Sequence, residues 1–296
     1  MTKLAWDLTS QRLYETGVSK GVLYLADPET GRYDMGYAWN GLTSVSESPS
    51  GAEANPFYAD NIKYLNLISN EEFACTIGAY TYPKEFGVCD GSAEPVPGVS
   101  FGQQSRKPFG FSYQTKVGND TLGDDYGYKI HLVYNGIAAP SEKEYATVNE
   151  SPEPIEFSWE VTTTAVSAGE GRRPLSTITI DSTVVDKDRL QILEGILYGT
   201  ASTNARLPMP EEVISIMEGT PLTQVTPTKP TFEKATGVIT IPSVEGVEYR
   251  IDGVIKVGTF TIAEPGATET VVAVALPNFE IKSGSESSWE FTRDQS

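Results

Sequence analysis

Alternation of apolar and polar positions dominates this chain. Phe109, Phe111, Tyr113, Thr115 and Val117 fall on one face of an extended run, with Gly110, Ser112, Gln114 and Lys116 on the other. The turn-rich stretch Gly118–Asp125 separates this run from a second one, Tyr126, Tyr128, Ile130, Leu132 and Tyr134. Two such runs around a Gly/Asn/Asp loop predict a long antiparallel hairpin. Ile155, Phe157, Trp159 and Val161 alternate with Glu156, Ser158, Glu160 and Thr162, the pattern of a half-buried strand. Phe73, Cys75, Ile77 and Ala79 repeat it less purely, and residues 21–26 and 36–47 are further strand candidates. One segment has a helical period instead. Leu190, Leu193, Ile196 and Leu197 line one face between Asp186, a fitting N-cap, and Gly199, a fitting stop. A short second helix is expected over Glu211–Met217, after Pro208 and Pro210. Many strands and one amphipathic helix predict a mainly β protein, a β-sandwich with a helix on its flank.

The pattern breaks at Gly219–Pro230, where three prolines stand among threonines. Such a stretch reads as a stiff, extended linker. Beyond it, short strands are predicted at Val238–Ile241, Val247–Ile251, Thr259–Ile262, Thr270–Leu276 and Ser288–Thr292, separated by Gly- and Pro-rich turns. That is enough for a small sandwich, though one of marginal stability alone. The expected organisation is a domain over 1–218, a linker over 219–230 and a β module over 231–296.

At 296 residues the chain has room for one large domain or two. No apolar run approaches the ~18–20 residues of a membrane span. The opening Met-Thr-Lys-Leu-Ala-Trp-Asp lacks a basic region followed by an apolar core, so synthesis and folding in a cytoplasm are expected. In that reducing setting Cys75 and Cys89 read as free thiols rather than a bridge. The sequons at Asn119 and Asn149 then carry no glycan. Twenty-two basic residues stand against 40 acidic ones, a net charge of −18, of which −14 lies in the first 220 residues. A chain that grips a phosphate backbone needs clustered Lys and Arg, so nucleic-acid binding is not expected. A polyanion can still slide past a wall that repels it weakly.

Candidate chemistry is thin, and neither a catalytic nor a metal site is assigned. The single histidine, His131, lies mid-strand, and its reading is a surface or inter-subunit residue rather than a catalytic base. One His and two distant Cys lack zinc-ligand spacing. Asp124-Asp125, Glu71-Glu72, Glu211-Glu212 and Glu156/Glu160 are carboxylate pairs such as a glycosidase uses, but a chain with 40 acids supplies them freely on solvated edges and helix starts. Asp120, Asp124 and Asp125 lack the twelve-residue calcium-loop pattern. There is no phosphate-binding glycine motif, and Arg172-Arg173, beside Gly169 and Gly171, is a basic doublet with loop character. No cofactor is implied.

Four separated phrases carry more information than any of these. They are Tyr58-Ala-Asp-Asn-Ile-Lys-Tyr-Leu65; Glu71–Pro83, ending Thr-Ile-Gly-Ala-Tyr-Thr-Tyr-Pro; Asp124-Asp-Tyr-Gly-Tyr-Lys-Ile-His-Leu-Val-Tyr134; and Ile155-Glu-Phe-Ser-Trp-Glu-Val-Thr-Thr-Thr164. In that order, across roughly residues 1–218, the chain resembles the major tail (tail tube) protein of long-tailed phages, the siphophages. Gly-Val-Glu-Tyr-Arg-Ile-Asp-Gly253, Thr-Glu-Thr-Val-Val-Ala-Val-Ala275 and Ser-Trp-Glu-Phe291 more weakly resemble the Ig-like modules appended to phage tail and bacterial surface proteins.

The resemblance implies a tail-tube-type β-sandwich flanked by one helix bearing Leu190, Leu193 and Leu197, with an Ig-like module at the C-terminus. It implies a structural virion protein and no enzyme. Six copies would form a ring, and stacked rings would form the tube through which the genome is ejected. Expected partners are further copies of the chain and the tape-measure, tail-tip and tail terminator proteins. DNA would pass the lumen without specific binding, and the terminal module would make weak contacts with the host surface. Assembly would take place in the bacterial host cytoplasm and leave the protein in the virion tail. The expected stacking element is Ser48–Tyr64, read as a segment too long for a hairpin turn, with Pro56, Phe57, Tyr58 and Tyr64 as interface anchors. A loop folded back over its own sandwich is the competing reading. At the level of function, a carbohydrate-binding or adhesin-type surface protein and a two-carboxylate β-sandwich glycosidase stay open beside the tail subunit.

Overall fold

A computed structural model describes residues 4–141, 143–145, 147, 150, 154–200, 203–219, 223–276, 279–282 and 284–295. Asn149 and Ser151 of the second sequon and residues 220–222 of the proline-rich stretch lie outside these. The protein is mainly β, and the chain divides into two compact units, Met1–Val213 and Ile214–Ser296.

The strands of the first unit are β1 (Leu13–Leu25), β2 (Gly36–Trp39), β3 (Leu42–Glu47), β4 (Ser50–Gly51), β5 (Ala54–Ala59), β6 (Ile62–Ile68), β7 (Glu71–Glu72), β8 (Ala74–Ala79), β9 (Ala93–Val96), β10 (Val99–Phe101), β11 (Phe109–Asn119), β12 (Gly123–Ala138), β13 (Phe157–Thr163) and β14 (Thr177–Asp181). A short helix α1 (Gly87–Asp90) and a longer one, α2 (Lys187–Tyr198), complete it, and α3 (Pro210–Glu218) runs across the point of division. Eight strands share one sheet in the order β2-β1-β11-β12-β13-β8-β3, with β14 also on β12. At 16 residues β12 is long enough to give one edge to two partners, Lys129–Val133 to β14 and Gly136–Ala138 to β13. The step between them is an irregularity at Asn135, whose φ is +51° and whose N–H donates to the Tyr33 hydroxyl at 2.9 Å.

The sheet curls so that its two halves share one aromatic core. Leu23, Phe111 and Val133 enter from one half, Ile77 and Trp159 from the other, and Trp39 and Phe86 lie between. Ring centroids stand 4.6 Å apart for Trp39–Phe86 and 5.5 Å for Trp39–Trp159, tilted or edge-on as ring quadrupoles prefer. The opposite face of β1, β11 and β12 is covered as well. Ser112 and Gln114, polar on the predicted outer face, are therefore buried. Tyr24 hydrogen-bonds with Ser112 at 3.1 Å and donates to the Leu197 carbonyl of α2 at 2.9 Å. Gly110 is small because Leu207 lies against it: a Cβ there would come within 2.5 Å of that side chain. Helix α2 starts where the Asp186 carboxylate accepts the N–H groups of Asp188 and Arg189, each at 3.1 Å, and it buries Leu190, Leu193 and Leu197.

Several predicted boundaries move. Residues 36–47 are two strands, because Gly41 at φ +75° turns the chain between them. The resulting β2 and β3 stand at opposite ends of the sheet order. The predicted strand at 21–26 begins eight residues earlier, and β13 starts at Phe157, leaving Ile155 outside.

The second unit adds β15 (Thr223–Val225), β16 (Thr231–Glu233), β17 (Val238–Thr240), β18 (Val247–Ile251), β19 (Val254–Lys256), β20 (Thr259–Thr261), β21 (Thr268–Ala275), β22 (Phe279–Ile281) and β23 (Ser288–Thr292). Sheets β16-β17-β20 and β19-β18-β21-β23 close over one core that includes Ile239, Tyr249, Val271, Trp289 and Phe291. Part of the Thr/Pro stretch read as linker is bound into this unit. Residues 223–225 pair in parallel with β22, and Thr228 both donates to the Tyr249 hydroxyl (2.9 Å) and accepts from it (2.7 Å).

Candidate assembly surface

The segment expected as an extended loop at Ser48–Tyr64 is instead a β-hairpin arm, and it continues to Glu72. Its base is the short β4–β7 pair and its shaft the β5–β6 pair. Asp60 and Asn61, at φ +50° and +63°, make the two-residue turn whose twist matches antiparallel strands. At the base, Gly51 has φ +85°, and a Cβ there would lie 2.1 Å from the Asn70 carbonyl oxygen, so only glycine fits.

Every residue of β5 and β6 is exposed. By register Asn55, Phe57, Leu65 and Leu67 share one face, and Ala54, Pro56, Asn66 and Ile68 the other. Tyr64 is the extra residue where the register shifts between Phe57–Leu65 and Tyr58–Lys63. Thus Pro56, Phe57, Tyr58 and Tyr64 are gathered on one hairpin. Tyr58 and Tyr64 are 71% and 69% exposed, so these rings are not folded back onto the curled sheet. Ile62, Leu65, Leu67 and Ile68 extend the apolar surface along the return strand. Their signal in the sequence was the Asp60-Asn61 pair between two strand-forming runs.

Glu47, three residues before the arm, closes a polar cluster at its root. The Tyr113 hydroxyl donates to the Glu47 carboxylate at 2.5 Å, and the His131 ring stacks on Tyr113 at 4.5 Å with planes 3° apart. His131 Nε2 lies 2.9 Å from the Thr115 hydroxyl, and Nδ1 lies 3.4 Å from that of Thr179 and 3.6 Å from Glu47. The expected surface histidine is therefore buried, because β11 and β14 bracket its strand. That burial lowers its pKa, with Glu47 and Glu15 pulling in the opposite direction.

Several of the candidate carboxylates are occupied in structural contacts. Asp124 accepts from the Tyr14 hydroxyl at 3.0 Å and faces Lys116 at 3.8 Å, while Asp120 faces Arg12 at 3.9 Å. Glu156 accepts from Thr43. Glu212 departs from its predicted solvated place: it is 1% exposed and held bidentately by Arg206 at 2.6 and 2.8 Å. Cys75 and Cys89 are free and buried, and burial pushes both thiols up to about 12. Among the described residues, no group of three or more His, Cys, Asp or Glu is placed to hold a metal ion, and no helix is long and apolar enough to cross a membrane.

A second exposed hairpin, β9–β10, escaped the sequence reading, although Pro97-Gly98 between Val96 and Val99 is a turn signal. Near the N-terminus, Leu4, Trp6 and Leu8 are exposed as well.

Comparison with known proteins adds little. No family model matches the chain, and no curated protein matches it. Among solved structures, it is similar to a chain of the anti-feeding prophage baseplate, from the 6-fold symmetrised cryo-EM structure. That match has 7% identity and a TM-score of 0.27, and covers 60% of this chain and 97% of the other. A second match is to a chain of an extracellular contractile injection system, the PVC sheath-tube complex in its extended state. It has 11% identity and a TM-score of 0.25, over 55% of this chain and 88% of the other. Superpositions this loose leave the functional reading to the chain's own residues and surface.

Proposed function

We propose that this protein is a structural subunit of a phage tail, and within that class the major tail subunit whose hexameric rings stack into the tail tube of a siphophage. The observation that carries the reading is the β5–β6 arm, a pinned ribbon that presents apolar side chains on both faces to solvent. Burying a large apolar side chain is worth about 1.5–3 kcal/mol. A fold that holds Phe57, Tyr58, Ile62, Tyr64, Leu67 and Ile68 in water forgoes that gain unless another chain supplies it. The four phrases resembling the tail tube family support the same reading, and one of them, Tyr58–Leu65, lies on this arm.

In this reading the arm packs against a neighbouring ring, and strand edges of the curled sheet pair between copies, which removes them as sites of uncontrolled aggregation. The charge of −18 suits a wall past which DNA slides without pairing. Tape-measure, tail-tip and terminator proteins are the other partners, and the second unit is an Ig-like module that touches the host surface weakly, gaining avidity from repetition. Negative-stain micrographs and sedimentation of the purified full chain test the proposal. Rings or tubes are expected at high concentration, and a stable monomer throughout overturns it.

A further inference from the structure

Hairpin β9–β10 has no part in the reading above, yet it has the same physical character as the arm. Pro95 through Phe101 is exposed along its whole length, with Val96 57% and Phe101 54% accessible and Val99 nearly as open. A lone two-stranded hairpin is marginal in water, so its order must come from its base. Ser92 N–H donates to the Gly87 carbonyl at 2.7 Å, Gln104 N–H to Gly91 at 2.9 Å and Lys107 N–H to Val88 at 3.0 Å. Lys84 grips Glu94 at 2.7 Å, and the same carboxylate accepts the Gly98 N–H at the turn, which lowers its pKa. Such pinning holds the apolar tip in the solvent instead of letting it collapse onto the body.

Charge identifies the occupant. In a chain of net −18, residues 95–105 carry no charged side chain, and residues 54–70 of the arm carry only Asp60 and Lys63, which cancel. Two copies of so acidic a chain repel wherever their general surfaces meet, so copies associate only through patches freed of that charge. A basic partner would instead be met by the acidic surface. We infer that hairpin β9–β10 is a second self-association element, which docks through Val96, Val99 and Phe101 onto another copy of this chain. The inference rests on the assembly reading above and adds to it a contact made outside the arm.

The test compares assembly of the full chain with that of Val99→Asp and, separately, Phe101→Ser, by sedimentation and negative stain. The concentration needed for assembly should rise by about tenfold or more in each, the scale on which a central interface side chain acts. The thermal midpoint should not move, since both positions are exposed. Val257→Asp, which adds the same charge on the second unit, should assemble normally. A photo-crosslinking amino acid at position 99 should yield covalent dimers within wild-type assemblies. If both variants assemble at the wild-type concentration and position 99 gives no dimer, this inference is overturned and the assembly reading stands. If the unmodified chain never leaves the monomer, both are overturned.

Discussion

Phe57, Tyr58 and Tyr64 on the arm stand in solvent, whereas Tyr249, Trp289 and Phe291 in the C-terminal unit are almost wholly covered. Both regions are short-stranded β structure built from the same residue types, so propensity does not separate them. What differs is the number of layers. The C-terminal unit closes two sheets over one core, and Tyr249 even ties in the stretch leading to it through Thr228. The large apolar side chains it exposes among the described residues are the three valines Val254, Val257 and Val272. The arm is a single layer and cannot cover either of its own faces. A few exposed valines need no explanation, while a contiguous apolar ribbon is a surface that a partner can cover. One unit covers its own apolar faces; the other has a part that leaves both of its faces in solvent.

The sharpest way to break this contrast is to remove the arm. Excising residues 54–68 and joining Glu53 to Ser69, whose backbone groups already meet at 3.0 Å, should abolish tube formation. The unfolding transition of the N-terminal unit should stay close to wild type, because nothing in its core is touched. Tubes of normal length from this variant would refute the arm's role.

A converse change belongs in the C-terminal unit. Trp289→Ala empties the middle of its core and should destabilise that unit by about 3–5 kcal/mol, a loss readable by denaturant titration. Assembly through the N-terminal unit should persist. If assembly fails with it, the two units are not separate devices.

The smallest effect concerns the root of the arm. Burial holds the His131 pKa below its ordinary value of about 6.5, so the unfolded chain binds a proton before the folded one does. Stability from this residue is therefore full above pH 6.5 and declines as pH falls from there toward the lowered folded pKa. His131→Gln should flatten the dependence of the unfolding midpoint in that window. An unchanged slope would mean that His131 titrates in the fold as it does in water.

Much of this was legible in the pattern of side chains. Period-two alternation locates β11, β12, β13 and β8, and period 3.6 with Asp186 and Gly199 at its ends locates α2, because those periods follow from local backbone geometry. Phe57, Tyr58 and Tyr64, with Pro56 beside them, also stand out in the sequence as a cluster of aromatics behind a Ser-Pro-Ser stretch. Local geometry does not say what lies opposite a strand. Ser112 and Gln114 alternate like solvent-facing residues and are buried; over Ser112 lies Tyr24, whose hydroxyl also reaches the Leu197 carbonyl of α2, from a distant part of the chain. His131 and Glu212 sit in sequence like surface groups and are enclosed, one by β11 and β14, the other by Arg206. Phe57 and Phe111 are alike in sequence, each a phenylalanine on a strand. Only the tertiary structure, by placing a second layer over Phe111 and none over Phe57, left the first in a core and the second in solvent.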